Sequence, residues 1–97
     1  MEGFRLPLTQ SVTFKTMLQK QNRLQVPLLV RWKYRLESSE VLRVTVKIVG
    51  VWGNEESFLA RMLKDGRIVV PKLMLALLKG DESSVEGEVM EVTLEPA

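Results

Sequence analysis

The sequence predicts a mainly β domain with two short helices, built from two ββαβ repeats that form a six-stranded barrel around a pseudo-twofold axis. The first observation is a repeated segment, because KQNRLQVP at 20–27 recurs as KDGRIVVP at 64–71, with Lys, Arg, Val and Pro each 44 positions apart. The second is length, since 97 residues with 45% hydrophobic side chains suffice for one modest core. The third is the period-2 alternation of apolar residues in the segments that flank each copy.

The repeat extends beyond the quoted segment. Phe14 matches Phe58 at the same spacing of 44, and Val44 matches Val92 at a spacing of 48, which implies a four-residue insertion in the second copy. We therefore expect residues 1–97 to form a single barrel domain, with repeat one at about 12–49 and repeat two at about 57–95.

Repeat one begins with the predicted strand VTFKTML and a turn at Gln21-Asn22, where Asn22 suits the left-handed backbone of a type I′ turn. RLQVP is then a return strand, which ends at a proline that suits a helix start. The next segment, LLVRWKYRL, alternates apolar and basic residues and by itself indicates a strand. EVLRVTVKIVGV is predicted as the third strand of the repeat.

Repeat two follows the same order. SFLARML is a predicted strand, Asp65-Gly66 is a strong type I′ hairpin signal, and RIVVP returns to a proline. KLMLALLKG is rich in helix formers and closes on Gly80, a suitable helix C-cap. Because the two copies should share one fold, the segments after both prolines are predicted as helices, and GEVMEVTLE is the last strand.

The prediction of a closed barrel depends on the need to bury the apolar faces of the strands. One ββαβ unit cannot bury both faces of its strands, whereas two interleaved copies can close six strands and leave no exposed edge.

The repeated motif resembles the AbrB/SpoVT swapped-hairpin family, in which Gly-Arg, apolar residues, Pro, a short helix and a Gly-Asp turn precede the last strand. Gly66-Arg67, Pro71 and Gly87-Glu88 occupy those places in repeat two. Repeat one is similar to archaeal AbrB-like proteins, with Ser39-Glu40 in place of the Gly-Asp turn. The resemblance implies a cradle-loop barrel of the RIFT or double-psi type in one chain, with a swapped-hairpin barrel as the alternative.

Composition excludes many functions. With no Cys and no His, the chain has no disulfide, no Cys-based zinc site and no histidine general base. The carboxylate cluster around Glu86, Glu88 and Glu91 is interpreted as solvated acidic surface, so we expect neither an enzyme nor a cofactor or metal site. No apolar run reaches the ~20 residues of a membrane span, and no signal peptide is recognised, so we expect a cytoplasmic protein.

Charge divides unevenly between the repeats. Residues 1–49 carry a net charge of +6 and residues 50–97 carry −4, which favours a polyanion partner for the first half or a simple attraction between the halves. In the AbrB family, the arginines after the turn and within the helix generally meet DNA. The candidate DNA-binding residues are Lys15, Lys20, Arg23, Arg31, Lys33, Arg35 and Arg67.

Two apolar features permit different interpretations. Trp32 and Tyr34 invite base stacking but are interpreted as core or rim packing, since they continue the alternation that starts at Val30. The helix around Leu73–Leu78 is apolar on nearly every side, so either the barrel or a partner protein covers it, and burial in the barrel is favoured.

The expected function is that of a small, monomeric AbrB-like DNA-binding protein, a transcriptional regulator. The alternatives are a protein-interaction or antitoxin-like module that uses the apolar helix, and a barrel protein that does not bind nucleic acid.

Overall fold

A computed structural model of the chain describes residues 8–38, 40–50, 54–79 and 86–97. Both repeats have the order strand, strand, helix, strand, which confirms the prediction of a mainly β domain with two short helices. Three predicted features, the Gly80 helix cap, the end of the third strand at Val51 and the Ser39 part of the Ser39-Glu40 turn, lie outside the described residues. The elements are β1 Val12–Met17, β2 Arg23–Gln25, α1 Leu28–Tyr34, β3 Val41–Ile48, β4 Glu56–Arg61, β5 Arg67–Val69, α2 Lys72–Lys79 and β6 Val89–Pro96.

The strands form two antiparallel sheets. One sheet has four strands in the order β1-β6-β3-β4, and the other is the two-stranded ribbon β2-β5. Every ladder pairs a strand of repeat one with a strand of repeat two. Within the described ranges, neither repeat therefore makes a sheet of its own.

The register of the ladders obeys the predicted pseudo-twofold symmetry. Thr45 lies opposite its repeat equivalent Thr93, and Leu24 lies opposite its equivalent Ile68, so the axis passes through both pairs. The outer ladders are related in the same way, because Val12 opposite Leu94 corresponds to Glu56 opposite Val46 after the repeat shift.

The two sheets do not join into the closed six-stranded barrel expected from the sequence. Between β1 and β2 the described backbone has a single bridge, in which the Gln19 N–H donates to the Arg23 carbonyl at 2.8 Å. The equivalent hydrogen bond between β4 and β5 runs from the Leu63 N–H to the Arg67 carbonyl, at 2.7 Å. The ladders end there because β2 and β5 are three residues long. Each lies between a tight turn and a proline, which lacks the N–H needed to extend a ladder.

One hydrophobic core lies between the sheets. Alternation on β3 buries Leu42, Val44, Val46 and Ile48, and the ribbon contributes Leu24 and Ile68. Because both sheets direct one face into this shared core, their outward faces lie on opposite sides of the domain. No helix in the described ranges has the length and apolar composition needed to cross a bilayer.

The two hairpin turns differ between the repeats. In repeat one, Gln21 and Asn22 have φ of 61° and 59°, as a type I′ turn requires. In repeat two the prediction of a type I′ turn is wrong, because only Gly66, with φ of 86°, is left-handed. The Asp65 carboxylate accepts the Arg67 N–H at 3.2 Å, as in an Asx turn.

Candidate functional site

The ribbon presents two arginines on its outward face. Leu24 and Ile68 point into the core, so the side chains at 23, 25, 67 and 69 point outward. Arg23 pairs with Val69, and Arg67 pairs with Gln25. The two arginines are therefore diagonal neighbours, which sheet geometry separates by about 7–8 Å.

Gln25 organises one end of this face. Its side-chain oxygen accepts from Arg67 Nε at 3.3 Å, and its amide nitrogen donates to the Asp65 carbonyl at 2.9 Å and to the Val26 carbonyl at 3.3 Å. Asp65 also lies 3.6 Å from Arg67 Nε through its carboxylate. Arg67 is thus oriented by an amide and a carboxylate while it stays partly exposed.

Arg31 extends from α1 to the same end of the ribbon. Its Nε donates to the Val26 carbonyl at 3.3 Å, and its guanidinium lies over the backbone of Gly66. The approach is close enough that a Cβ on Gly66 would lie 2.5 Å from Arg31 Cζ. Glycine at 66 therefore suits both the left-handed turn and the close approach of this guanidinium to the backbone.

The end of α1 forms an open depression beside Arg31. Arg35 terminates the helix in the left-handed region, at φ 54° and ψ 46°, and its N–H donates to the carbonyls of Arg31 and Trp32. Arg31, Trp32, Arg35, Leu36 and Glu37 line a depression of about 460 Å³. Trp32 is 68% exposed, so its interpretation as core or rim packing is wrong, whereas Tyr34 does pack against the core.

The left-handed cap at Arg35 gives a stability prediction. A side chain in this region costs about 1–2 kcal/mol relative to glycine, and the greater flexibility of glycine in the unfolded chain offsets part of that gain. We expect Arg35→Gly to be more stable than Arg35→Ala by about 1 kcal/mol in urea denaturation. Both variants lose the arginine side chain, so their difference isolates the backbone, and equal midpoints would contradict the assignment of a strained cap.

Contacts or a shared depression link Arg31, Arg35 and Arg67, and Arg23 lies diagonally across the ribbon from Arg67. We use the name ribbon–helix patch for Arg23 and Arg67 on the ribbon with Arg31 and Arg35 at the end of α1. Arg67 donates to Gln25, and both Gln25 and Arg31 donate to the Val26 carbonyl. Arg31 and Arg35 line the same depression.

The other three predicted residues lie elsewhere. Lys15 is on the outward face of the four-stranded sheet, opposite Glu91, and that face lies across the core from the ribbon. Lys20 is exposed in the repeat-one turn. Lys33 belongs to α1, but its ammonium lies 5.4 Å from the Tyr34 ring centroid, within the range of a cation–π contact.

Among the described residues, repeat two does not reproduce the site. The repeat equivalents of Gln25, Arg31 and Trp32 are Val69, Leu75 and Ala76. Sequence reasoning missed Gln25 and Gly66 as parts of the site and misjudged Trp32. The signal that marks Gln25 and Trp32 is their departure from the repeat, since a polar or aromatic residue in one copy replaces an aliphatic residue in the other.

The outward face of the four-stranded sheet is chemically different. A row of hydroxyls crosses it at the pseudo-twofold axis, with Thr13 Oγ1 2.9 Å from Thr93 Oγ1 and Thr45 Oγ1 2.7 Å from Ser57 Oγ. On either side of this row the register sets basic residues opposite acidic ones, as for Arg43 opposite Glu95. Its charges alternate in sign, unlike those of the ribbon–helix patch.

Helix α2 divides its apolar residues between core and surface. Leu75 and Leu78 are buried, whereas Leu73 and Leu77 are exposed. The expectation that the fold buries this helix is therefore correct for one side of α2 and wrong for the other.

Comparisons with known proteins give a fold relationship. No protein-family model matches the sequence, and no curated protein sequence matches it. The chain is similar to the solution structure of PHS018 from Pyrococcus horikoshii, with a TM-score of 0.73 and 22% sequence identity over 95% of this chain and 94% of that one. At this identity the likeness shows the shared fold alone.

Within the described ranges, no three acidic side chains are grouped so that they could hold a metal ion.

Proposed function

We propose that the protein binds DNA through the ribbon–helix patch and acts as a small regulator of transcription. The observation that supports the proposal is the set of four arginines on two contiguous elements. A two-stranded antiparallel ribbon fits the major groove of B-DNA, and arginine can contact both phosphates and guanine edges. The ribbon here has its two arginines on the outward face, where a duplex can reach them.

The rigidity of the patch also supports the proposal. Arg31 is held against Gly66 and Val26, and Arg67 is held by Gln25 and Asp65, so less side-chain entropy is lost on binding than for free surface lysines. We further propose that the fold is an open relative of the cradle-loop barrels, in which the two sheets stay separate, and that the protein acts in the cytoplasm. We also propose that it is a monomer, because the two repeats already supply both halves of the symmetric arrangement.

The salt dependence of DNA binding tests the proposal. Each phosphate neutralised releases about 0.9 counterion, so four arginine contacts give a logarithmic slope of affinity against salt of about −3.6. Arg23→Ala combined with Arg35→Gly should flatten the slope by about 1.8. The glycine at 35 removes the charge while keeping the helix cap. Fluorescence anisotropy of a labelled mixed-sequence duplex at several salt concentrations measures both slopes.

A charge-matched variant gives the control. Lys15→Ala combined with Lys47→Ala removes the same two charges from the opposite face, where the register sets both lysines opposite Glu91. This variant should leave the slope nearly unchanged. If both double variants flatten the salt slope equally, only the net charge of the protein matters. If the wild-type protein does not bind the duplex at about 50 mM salt, DNA binding is rejected altogether.

Exposed Leu73 and Leu77 favour a second candidate function, protein interaction or an antitoxin-like role. These two residues lie four apart on one side of α2, which is the spacing of an amphipathic contact between helices. Under this alternative, Leu77→Asp abolishes association with the partner and leaves DNA affinity unchanged.

A further inference from the structure

Trp32 is the large aromatic residue that the core leaves uncovered on α1. Its side chain is 68% exposed, although the helix is only seven residues long and its neighbours Val30 and Tyr34 pack against the core. Repeat two has Ala76 at the equivalent position. The fold therefore does not need an aromatic residue there, and the side chain is available to a ligand.

The surroundings of Trp32 identify the ligand chemistry. The indole shares the open depression with the side chains of Arg31, Arg35 and Glu37, so its lining carries two positive charges and one negative charge. The depression is open to solvent, so a flat group can reach the indole from outside. An aromatic surface with cations beside it is the arrangement by which proteins hold unpaired bases, since the base stacks on the ring and the phosphates meet the cations.

We infer that Trp32 stacks on an unpaired base, so that the ribbon–helix patch prefers single-stranded nucleic acid to a duplex of the same sequence. The reason is access, because bases within a duplex are already stacked and show only their edges in the grooves. Arg31 contributes from a fixed position, since it is held by Gly66 and the Val26 carbonyl. The inference rests on the proposed function, because stacking adds to phosphate contacts of the same patch.

The test compares three labelled probes by anisotropy at one salt concentration: oligothymidylate and oligouridylate of about ten nucleotides, and a self-complementary duplex of similar length. Trp32→Ala should weaken binding of the preferred single strand roughly five- to a hundredfold, and the duplex by less than about twofold. Trp32→Phe keeps an aromatic surface and should retain most of the single-strand affinity. The thermal unfolding midpoint should stay at the wild-type value in both variants, because the side chain is exposed.

The outcomes separate this inference from the proposed function. The stacking inference is supported if either single strand binds more tightly than the duplex and if this tighter binding is lost in Trp32→Ala and retained in Trp32→Phe. The single strand that binds more tightly then identifies the ligand as DNA or RNA. Equal loss on single strand and duplex, no loss on either, or a lowered unfolding midpoint in Trp32→Ala overturns the stacking role, while the salt-dependent duplex binding still stands. Absence of binding to all three probes rejects both.

Discussion

Leu75→Asp is expected to unfold the domain or to lower its free energy of unfolding by about 3–5 kcal/mol. Leu75 is 6% exposed and belongs to the core cluster, so a carboxylate there has no water and no partner of opposite charge among the core residues. Aspartate is too short to extend its charge to the surface. Against a total stability of about 5–15 kcal/mol for an ordinary domain, this loss is decisive.

Leu77→Asp is the matched control. The residue lies two positions further along the same helix, is 48% exposed, and undergoes the same chemical change. We expect a loss of at most about 1 kcal/mol, mainly from helix propensity. Circular dichroism with a thermal melt measures both variants. Similar melts for the two would mean that α2 does not bury Leu75 as described.

Gly66→Ala is expected to have the second large effect, a loss of about 1.5–3.5 kcal/mol. The backbone contribution is about 1–2 kcal/mol, because Gly66 has φ of 86°. The remainder comes from Arg31, whose guanidinium atoms lie 2.5–2.8 Å from the position of the added Cβ. The guanidinium must move away and give up the hydrogen bond from its Nε to the Val26 carbonyl.

Gly87→Ala separates the two contributions. Gly87 has nearly the same φ, 87°, but no atom lies within 4 Å of an added Cβ. It should lose only the backbone part, about 1–2 kcal/mol. In an Arg31→Ala background the excess cost of Gly66→Ala over Gly87→Ala should vanish, since no guanidinium remains to be displaced. An excess that persists in that background would contradict the seating of Arg31 on Gly66.

The order of the elements could be predicted because the repeat resolved an ambiguity. LLVRWKYRL alternates like a strand, but its counterpart KLMLALLKG has helical composition, and α1 is indeed a helix. Barrel closure could not be predicted, since it depends on ladders between β1 and β2 that the short strands and prolines prevent. The turn at Asp65-Gly66 was mispredicted because a local carboxylate contact competes with the hairpin geometry.

The site was harder to predict because it depends on which face of a helix meets the core. Val30, Trp32 and Tyr34 would share one face of a strand, but in a helix residue 32 points about 200° away from residue 30. The same rotation separates buried Leu75 from exposed Leu77. No local pattern indicates that Arg31 lies on Gly66, because the two residues belong to different repeats and meet only after the ribbon has formed.

The pairing of strands across the repeats also bears on how the chain is made. On the ribosome, β1 emerges early, but its ladder partner β6 is separated from it by most of the chain, as the pairing of Val12 with Leu94 shows. The backbone groups of β1 therefore remain without their ladder until Val89–Pro96 has left the exit tunnel. Loops of this length close slowly, so β1 stays without its ladder partner until the residues of β6 have been made and have reached it.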